Sequence, residues 1–167
     1  TSEIFYFSSV FGTGHISEDL MKFLPVFTFL VTKTGTSKTN YIDFTRKTDA
    51  VTGGLSLSPM VRTAVFDDHK TLSSVILSAK CLERYQEDMF SLLGELTNNY
   101  SFENSERITS LLMQFKAGIE SSVVQNGHRL AISLASRNLS KSSEISESWG
   151  GISQLKFIKE LTEKLSD

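Results

Sequence analysis

The stretch from Leu55 to Cys81 reads LSLSPMVRTAVFDDHKTLSSVILSAKC and determines how the rest of the chain can be arranged. Apolar and polar residues alternate near both of its ends, which is typical of strands that bury one face. The alternating apolar positions are Leu55, Leu57, Val61 and Val65 in the first run, and Val75, Leu77, Ala79 and Cys81 in the second. Pro59 interrupts the first run and predicts an edge strand or a bulge, because proline lacks an N–H. Asp67 to Lys70 is predicted to be a polar turn, so the two strands should pair antiparallel.

The N-terminal residues predict a further strand and the first helices. Ile4 to Phe11 is rich in aromatic and β-branched residues and is followed by Gly12, so we expect a well-buried strand. Ser17, before two acidic residues, predicts a capped helix start. Pro25 is expected as the first residue of a second helix, buried on most of its circumference as far as Thr34.

Two residues bound the next helix. Gly35 is expected to end the buried helix, and Asn40 to cap a short helix from Tyr41 to about Thr52.

The second half of the chain is helical by its hydrophobic spacing. Apolar residues recur every three or four positions in four runs. They are Tyr85, Met89, Phe90, Leu93 and Leu96; Ile108, Leu111, Leu112, Phe115, Ile119 and Val123; Leu130, Leu134 and Ala135; and Ile152, Leu155, Ile158, Leu161 and Leu165. Asn126-Gly127 should kink or end the longest helix, and Ser140 to Ser143 is predicted to be a loop or cap.

The order of these segments predicts the fold class. A strand, two helices, two strands and about four helices follow one another without a βαβ alternation. This pattern indicates an α+β fold in which helices pack on one face of a mostly antiparallel sheet.

Composition bounds the function classes. The 167 residues are 40% apolar and carry a formal net charge of −2, which fits one ordinary globular domain. No basic cluster suggests a nucleic-acid partner. The longest apolar segment, Phe23 to Val31, is about half the length that a helix needs to cross a bilayer, so we expect no membrane span. The sequence begins at Thr1 without a readable targeting signal, and we expect residues 1–167 to be one domain excised from a larger chain.

Residue types that carry chemistry are scattered. His15, His69 and His128 lack a second ligand at the spacing of metal sites. His15 to Asp19 resembles an HxxEH zinc helix, but aspartate stands where the second histidine is needed, and a loop role is favoured. Cys81 lies on a buried strand face and is expected to act as a small apolar residue.

Two further features admit a structural interpretation. Gly35 to Thr39 lacks the first glycine and the preceding strand of a phosphate-binding loop, so a nucleotide site is rejected. Trp149, before Gly150-Gly151, could stack on a ligand, but an aromatic anchor under a loop is favoured. From the residues alone, the chain is an α+β domain without a recognisable active site.

A set of segments does resemble a known family. They are Leu24-Pro25, Thr52-Gly53-Gly54-Leu55-Ser56-Leu57-Ser58-Pro59, Phe102 to Arg107, Asn126-Gly127-His128, and Trp149-Gly150-Gly151-Ile152-Ser153-Gln154-Leu155-Lys156-Phe157. In this succession the chain resembles the third of four domains in pitrilysin/insulinase-type zinc metallopeptidases, and specifically their presequence protease branch. The resemblance extends from about Ile4 to Leu165.

The resemblance implies a long parent protein whose two halves close around unfolded peptides. It implies zinc, bound through HxxEH, in the N-terminal half of that parent. If this domain is a diverged copy of the zinc domain, the five motif positions fall near Val26 to Leu30, where apolar residues replace the ligands. The resemblance therefore implies no catalytic, cofactor-binding or metal-binding residue in this chain. It also implies further strands after Asp167, so we expect the domain to be truncated before its last strands.

The implied function is that of a structural segment lining the peptide chamber of a zinc metalloendopeptidase that degrades presequences or transit peptides. The parent would be the enzyme, and this segment alone would be inactive. Its partners would be the N-terminal catalytic half and unfolded peptides, in the mitochondrial or plastid matrix of a eukaryote or in the bacterial cytoplasm. Two alternatives stay open: a non-peptidase assembly or core subunit of the same superfamily, and an autonomous helical interaction domain.

Overall fold

A computed structural model describes residues 3–165, with the exception of the side chain of Asp68. Residues 1, 2, 166 and 167 of the predicted domain lie outside the described residues. The elements in chain order are β1 (Ile4–Gly12), α1 (Glu18–Met21), α2 (Leu24–Val31), α3 (Tyr41–Val51), β2 (Leu55–Ala64), β3 (Asp67–Leu82), α4 (Gln86–Asn99), α5 (Ser105–Ser136), α6 (Lys141–Gly150) and α7 (Ile152–Glu163), with 3-10 turns at Glu83–Tyr85 and Arg137–Leu139. Within the described residues, no helix is long and apolar enough to span a membrane.

The three strands form one antiparallel sheet in the order β1-β3-β2, and the helices supply its buried layer. The α+β prediction is therefore confirmed. In β3, Val75, Leu77, Ala79 and Cys81 are buried, so the alternation in the sequence identifies the face that packs against helices. Pro59 lies in the edge strand β2 opposite Val75. The edge prediction is confirmed, but the register shift occurs at Thr63/Ala64 rather than at the proline.

The predicted polar turn at Asp67 to Lys70 is wrong. β3 already begins at Asp67, and the chain reverses at Val65 and Phe66, whose side chains are 89% and 101% exposed. The physical reason is that the tip of this hairpin extends away from the core. Its strand residues are solvated and can be polar, so their composition resembles that of a turn.

The strand β1 is less buried than its composition predicts. Phe5 and Phe7 pack against the core cluster beneath the sheet, whereas Tyr6 is 69% and Val10 62% exposed. Because helices cover one face of the sheet, alternate residues of this edge strand face solvent even where they are apolar.

Three groups of buried residues form the core, and α2 contributes to each. Val31 belongs to the group under the sheet, which includes Leu77 and Met89. Val26 and Leu30 pack with Leu111, Leu112 and Ile158. Leu24 packs with Val75 and Trp149. The prediction that this helix is buried on most of its circumference is therefore confirmed, although it ends at Val31 rather than near Thr34 and Pro25 is its second residue.

The predicted helix boundaries are reproduced where a polar side chain bonds to the backbone. The Asn40 side chain accepts hydrogen bonds from the main-chain N–H groups of Ile42 and Asp43, which caps α3 as predicted. Ser17 occupies the cap position of α1 but makes no side-chain bond. Asn126 has φ −122° and ψ 25° and kinks α5, as predicted. The helix α6 was not predicted, because five of its ten residues are serine or glycine.

Candidate functional site

The chemistry-bearing residues singled out from the sequence are not brought together. His15 lies in the turn after β1, His69 in β3 and His128 in α5. Among residues 3–165 without the side chain of Asp68, no group of three or more histidine, cysteine, aspartate or glutamate side chains could hold a metal ion. Cys81 is 3% exposed and belongs to the core under the sheet.

The segment Val26 to Leu30 lies inside α2, between the sheet and the helices α5 and α7. Val26 and Leu30 are 4% and 8% exposed. The hydroxyl of Thr28 donates a hydrogen bond to the main-chain oxygen of Pro25 at 3.1 Å. Val26, Thr28 and Leu30 are buried in the core, whereas Phe27 and Phe29 are partly buried.

The loop from Gly35 to Thr39 connects α2 to α3 and is hydrogen-bonded to Glu95 of α4. Gly35 has φ +82°, and a Cβ at this position would meet the backbone of Tyr41. The hydroxyl of Thr36 donates to Oε1 of Glu95 at 2.6 Å and accepts from the N–H of Thr39 at 2.9 Å. The hydrogen bond from Thr36 is the main cause that lowers the pKa of Glu95. The polar residues of this loop therefore hold it against α4 and stabilise the fold.

The Trp149-Gly150-Gly151 stretch forms the junction of α6 and α7. Nε1 of Trp149 donates to the main-chain oxygen of Met21 at 2.8 Å, so Trp149 anchors α6 to α1. It lies within a helix rather than under a loop, which corrects that part of the prediction. Glu147, 2% exposed, accepts a hydrogen bond at Oε1 from the N–H of Ser153 at 3.0 Å and so caps the start of α7.

A cavity of about 470 Å³ lies between α2, β2 and the helices α5, α6 and α7. This volume is within the range of about 300–1,000 Å³ that is typical of ligand pockets. Its apolar walls include Pro25, Phe29, Phe115 and Trp149, and five consecutive residues of β2, from Leu55 to Pro59, form one side.

Two polar side chains distinguish this cavity from a packing gap. Gln154 is 1% exposed, and neither its Nε2 nor its Oε1 has a hydrogen-bond partner among the described residues. Nζ of Lys33 lies 4.2 Å from the centre of the Phe29 ring and 3.4 Å from the hydroxyl oxygen of Thr32. Burial, and then the positive charge of Arg107, lowers the pKa of Lys33. This cavity is the candidate functional site.

Sequence reasoning missed both Gln154 and Lys33. Gln154 stands four and eight residues before the buried residues Ile158 and Thr162, which places it on the buried face of α7. This register predicts that the residue is buried, but not that its amide lacks a hydrogen-bond partner. Nothing local to Lys33 distinguishes it from a solvated lysine.

Comparison with known proteins gives one consistent result. Residues 1–161 match the family model of a domain associated with peptidases of the M 16C group. The chain is 32% identical over 163 residues to "Presequence protease, mitochondrial" of Danio rerio. The aligned region covers 98% of this chain and 16% of the relative. The chain is 29% identical to the Mus musculus protein of the same name, with the same coverage. It is 25% identical over 167 residues to "Presequence protease 1, chloroplastic/mitochondrial" of Arabidopsis thaliana, which covers 100% of this chain and 15% of the relative. The chain therefore spans about one sixth of the length of these curated relatives.

Proposed function

The chain belongs to this peptidase-associated family, in its presequence protease branch, and from this premise we propose that residues 1–167 are a non-catalytic domain in the C-terminal half of a zinc metalloendopeptidase. The parent enzyme degrades unfolded peptides of the presequence or transit-peptide type inside a closed chamber. This domain supports and lines that chamber, and the zinc belongs to the N-terminal half of the same polypeptide.

The observation that carries the proposal is the burial of Val26 and Leu30, which are 4% and 8% exposed. In the register inferred above, these positions correspond to the zinc motif of the related domain. Val26 and Leu30 instead pack with Leu111, Leu112 and Ile158. Aliphatic side chains offer no lone pair to a dication. A domain that uses these positions as core supports a fold without supplying metal chemistry.

The names of the relatives support the proposed compartment, whereas the partners remain part of the proposal. Their printed names place them in mitochondria or in chloroplasts and mitochondria. We therefore place the parent in an organellar matrix if the source is a eukaryote, and in the cytoplasm if it is a bacterium. The partner of this domain is the N-terminal catalytic half, and the shared ligand is an unfolded peptide.

The proposal is tested on the purified 167-residue chain. Zinc is measured by mass spectrometry after exposure to zinc and desalting, and cleavage is measured with a fluorogenic unfolded peptide. We expect neither stoichiometric zinc nor cleavage, and either one would overturn the proposal.

The sequence of the complete polypeptide provides the second test. An HxxEH motif several hundred residues before this segment is expected. A polypeptide without that motif, purified in a stable complex with a different subunit, would favour the assembly-subunit alternative.

A further inference from the structure

We propose that Lys33 and Arg107 together bind a phosphate group, either inorganic phosphate or the phosphomonoester of a small molecule. Lys33 follows the end of α2, and Arg107 lies in the first turn of α5. This ligand differs in chemistry from the peptide of the proposed function. The site therefore goes beyond that function, and it holds whether or not the parent polypeptide is a peptidase.

The two cations are in contact although they are distant in the sequence. Nε of Arg107 donates a hydrogen bond to the main-chain oxygen of Lys33 at 3.3 Å. Both side chains are half-buried, and the positive charge of Arg107 contributes to the lowered pKa of Lys33. Like charges that are brought together in a partly buried position repel each other. An anion placed between them replaces this repulsion with attraction to both side chains.

Aromatic rings hold each cation in position. Nζ of Lys33 lies 4.2 Å from the centre of the Phe29 ring, and Cζ of Arg107 lies 4.1 Å from the centre of the Tyr41 ring. Such cation–π contacts stabilise a charged group without using its N–H donors as a carboxylate would. Because the two side chains are already ordered, a ligand that binds them pays less conformational entropy.

Most of the hydrogen-bonding capacity of the pair is unused. A guanidinium has five N–H donors, and within residues 3–165, leaving aside the Asp68 side chain, only the donor at Nε of Arg107 has an acceptor. The ammonium of Lys33 makes one long hydrogen bond, to the hydroxyl of Thr32 at 3.4 Å. In the same part of the chain, no carboxylate oxygen lies within 4.0 Å of either cation. The pair therefore offers charge and donors to an anion from outside the domain.

The place of Arg107 in its helix adds to the positive field. α5 begins at Ser105, so Arg107 lies in the first turn, where the helix dipole is positive and a cation is unfavourable. The side chain of Asn104 already accepts the main-chain N–H of Arg107 at 2.9 Å, so the cap does not need the arginine. Helix stability therefore does not account for a cation at this position, whereas an anion would be stabilised by it.

The number and arrangement of the donors favour phosphate over carboxylate. The planar fork of one arginine is sufficient for the two oxygens of a carboxylate. A phosphate monoester carries a charge of about −1.5 to −2 at neutral pH and three acceptor oxygens. Its tetrahedral oxygens can meet the guanidinium of Arg107 and the ammonium of Lys33 from different directions, and its charge matches that of the pair.

The test is a titration of the ¹⁵N-labelled 167-residue chain, followed by nuclear magnetic resonance. The probe is inorganic phosphate at pH 7, with chloride adjusted to keep the ionic strength constant. We expect saturable shifts of the main-chain amide signals of Lys33 and Arg107 and of the Nε–H signal of Arg107. Acetate, the matched control with a single charge, should bind about tenfold more weakly because it makes fewer charge-assisted hydrogen bonds.

Variants separate the pair from net charge. Lys33→Gln and Arg107→Gln should each weaken phosphate binding by about tenfold or more, and Arg107→Lys should restore part of the loss. The matched controls remove one charge elsewhere. Lys22→Gln changes an exposed lysine that also lies over phenylalanine rings, at 5.8 and 5.4 Å, and Arg46→Gln changes an exposed arginine that pairs with Asp43 at 3.5 Å. Both controls should leave binding unchanged.

A separate arm distinguishes a small molecule from a lipid headgroup. The chain is sedimented with vesicles of phosphatidylcholine, with or without phosphatidic acid. We expect no additional binding to the vesicles that contain phosphatidic acid. Additional binding that Lys33→Gln abolishes would overturn the assignment to a small molecule and place the phosphate group on a lipid.

Other results would overturn the site itself. Without a saturable shift by phosphate, there is no phosphate site at Lys33 and Arg107. Equal binding of acetate and phosphate excludes recognition of a doubly charged group. Equal losses in Lys22→Gln and Lys33→Gln show an effect of net charge alone. If Arg107→Gln does not fold, as its amide spectrum would show, Lys33→Gln and Arg107→Lys decide the question.

Discussion

Glu147 and Gly151 are in direct contact at the junction of α6 and α7. The N–H of Gly151 donates to the main-chain oxygen of Glu147 at 2.7 Å, and a Cβ added to Gly151 would lie 2.6 Å from both that oxygen and Oε1 of Glu147. The second glycine of the Trp-Gly-Gly stretch is thus required by the buried carboxylate that caps α7. The Trp149-Gly150-Gly151 stretch therefore has a structural role, and its occurrence in the sequence indicates this junction between two helices.

Replacement of Gly151 by alanine should destabilise the fold. Gly151→Ala forces the Cβ against a backbone oxygen and a buried carboxylate, and such overpacking costs about 1–3 kcal/mol. The free energy of unfolding is measured by urea denaturation. Gly150→Ala is the matched control, because a Cβ at Gly150 meets no atom within 4 Å and alanine favours the helix by up to about 1 kcal/mol. Equal effects of the two substitutions would contradict the described junction.

The hydrogen bond from Thr36 to Glu95 predicts a pH dependence of stability. Since this bond lowers the pKa of Glu95, its contribution is complete above the ordinary glutamate pKa and is lost as the pH falls through the lowered value. Thr36→Val should therefore be less stable than the unsubstituted chain at pH 7, and part of that difference should disappear in acid. Urea denaturation between neutral and acid pH measures it. Thr45→Val, which removes a hydroxyl bonded to the backbone oxygen of Tyr41, should give a difference that does not change with pH.

Local patterns in the sequence predict the bounds and faces of helices and strands where a single side chain or a simple alternation determines them. Asn40 predicted the start of α3 because its side chain accepts the N–H groups of the first turn. Alternation predicted the buried face of β3. The resemblance to the presequence protease branch rested on short motifs, and the Trp149-Gly151 stretch is one whose structural reason is now visible.

The missed features depend on contacts between distant segments. Local composition misplaces the hairpin tip because solvated strand residues and turn residues have the same polarity. Gln154 was not recognised because its lack of a partner depends on how α2, β2 and α5 surround it. The cavity itself is a property of packing, and no local pattern in the sequence predicts it.

The lack of partners at Gln154 predicts a gain in stability on substitution. Gln154→Leu replaces a buried amide with an apolar side chain of similar size, and should raise the free energy of unfolding by about 1 kcal/mol in the absence of ligand. The measurement is urea denaturation of the chain. Gln125→Leu, at an exposed position of α5, should change stability by less than about 0.5 kcal/mol. A large loss of stability in Gln154→Leu would show instead that the amide is satisfied within the chain.

Two phenylalanines at opposite extremes of burial test the corrected hairpin. Phe44 is 2% exposed and lies in the core under the sheet, whereas Phe66 is 101% exposed at the turn between β2 and β3. Phe44→Ala should cost about 3–5 kcal/mol through lost burial and a cavity. Phe66→Ser should change stability by less than about 0.5 kcal/mol, because no packing is lost. Phe66→Ser should also reduce self-association, measured by light scattering, since it removes an exposed aromatic group. A loss of several kcal/mol in Phe66→Ser would instead place this residue in a packed position and contradict the turn at Val65 and Phe66.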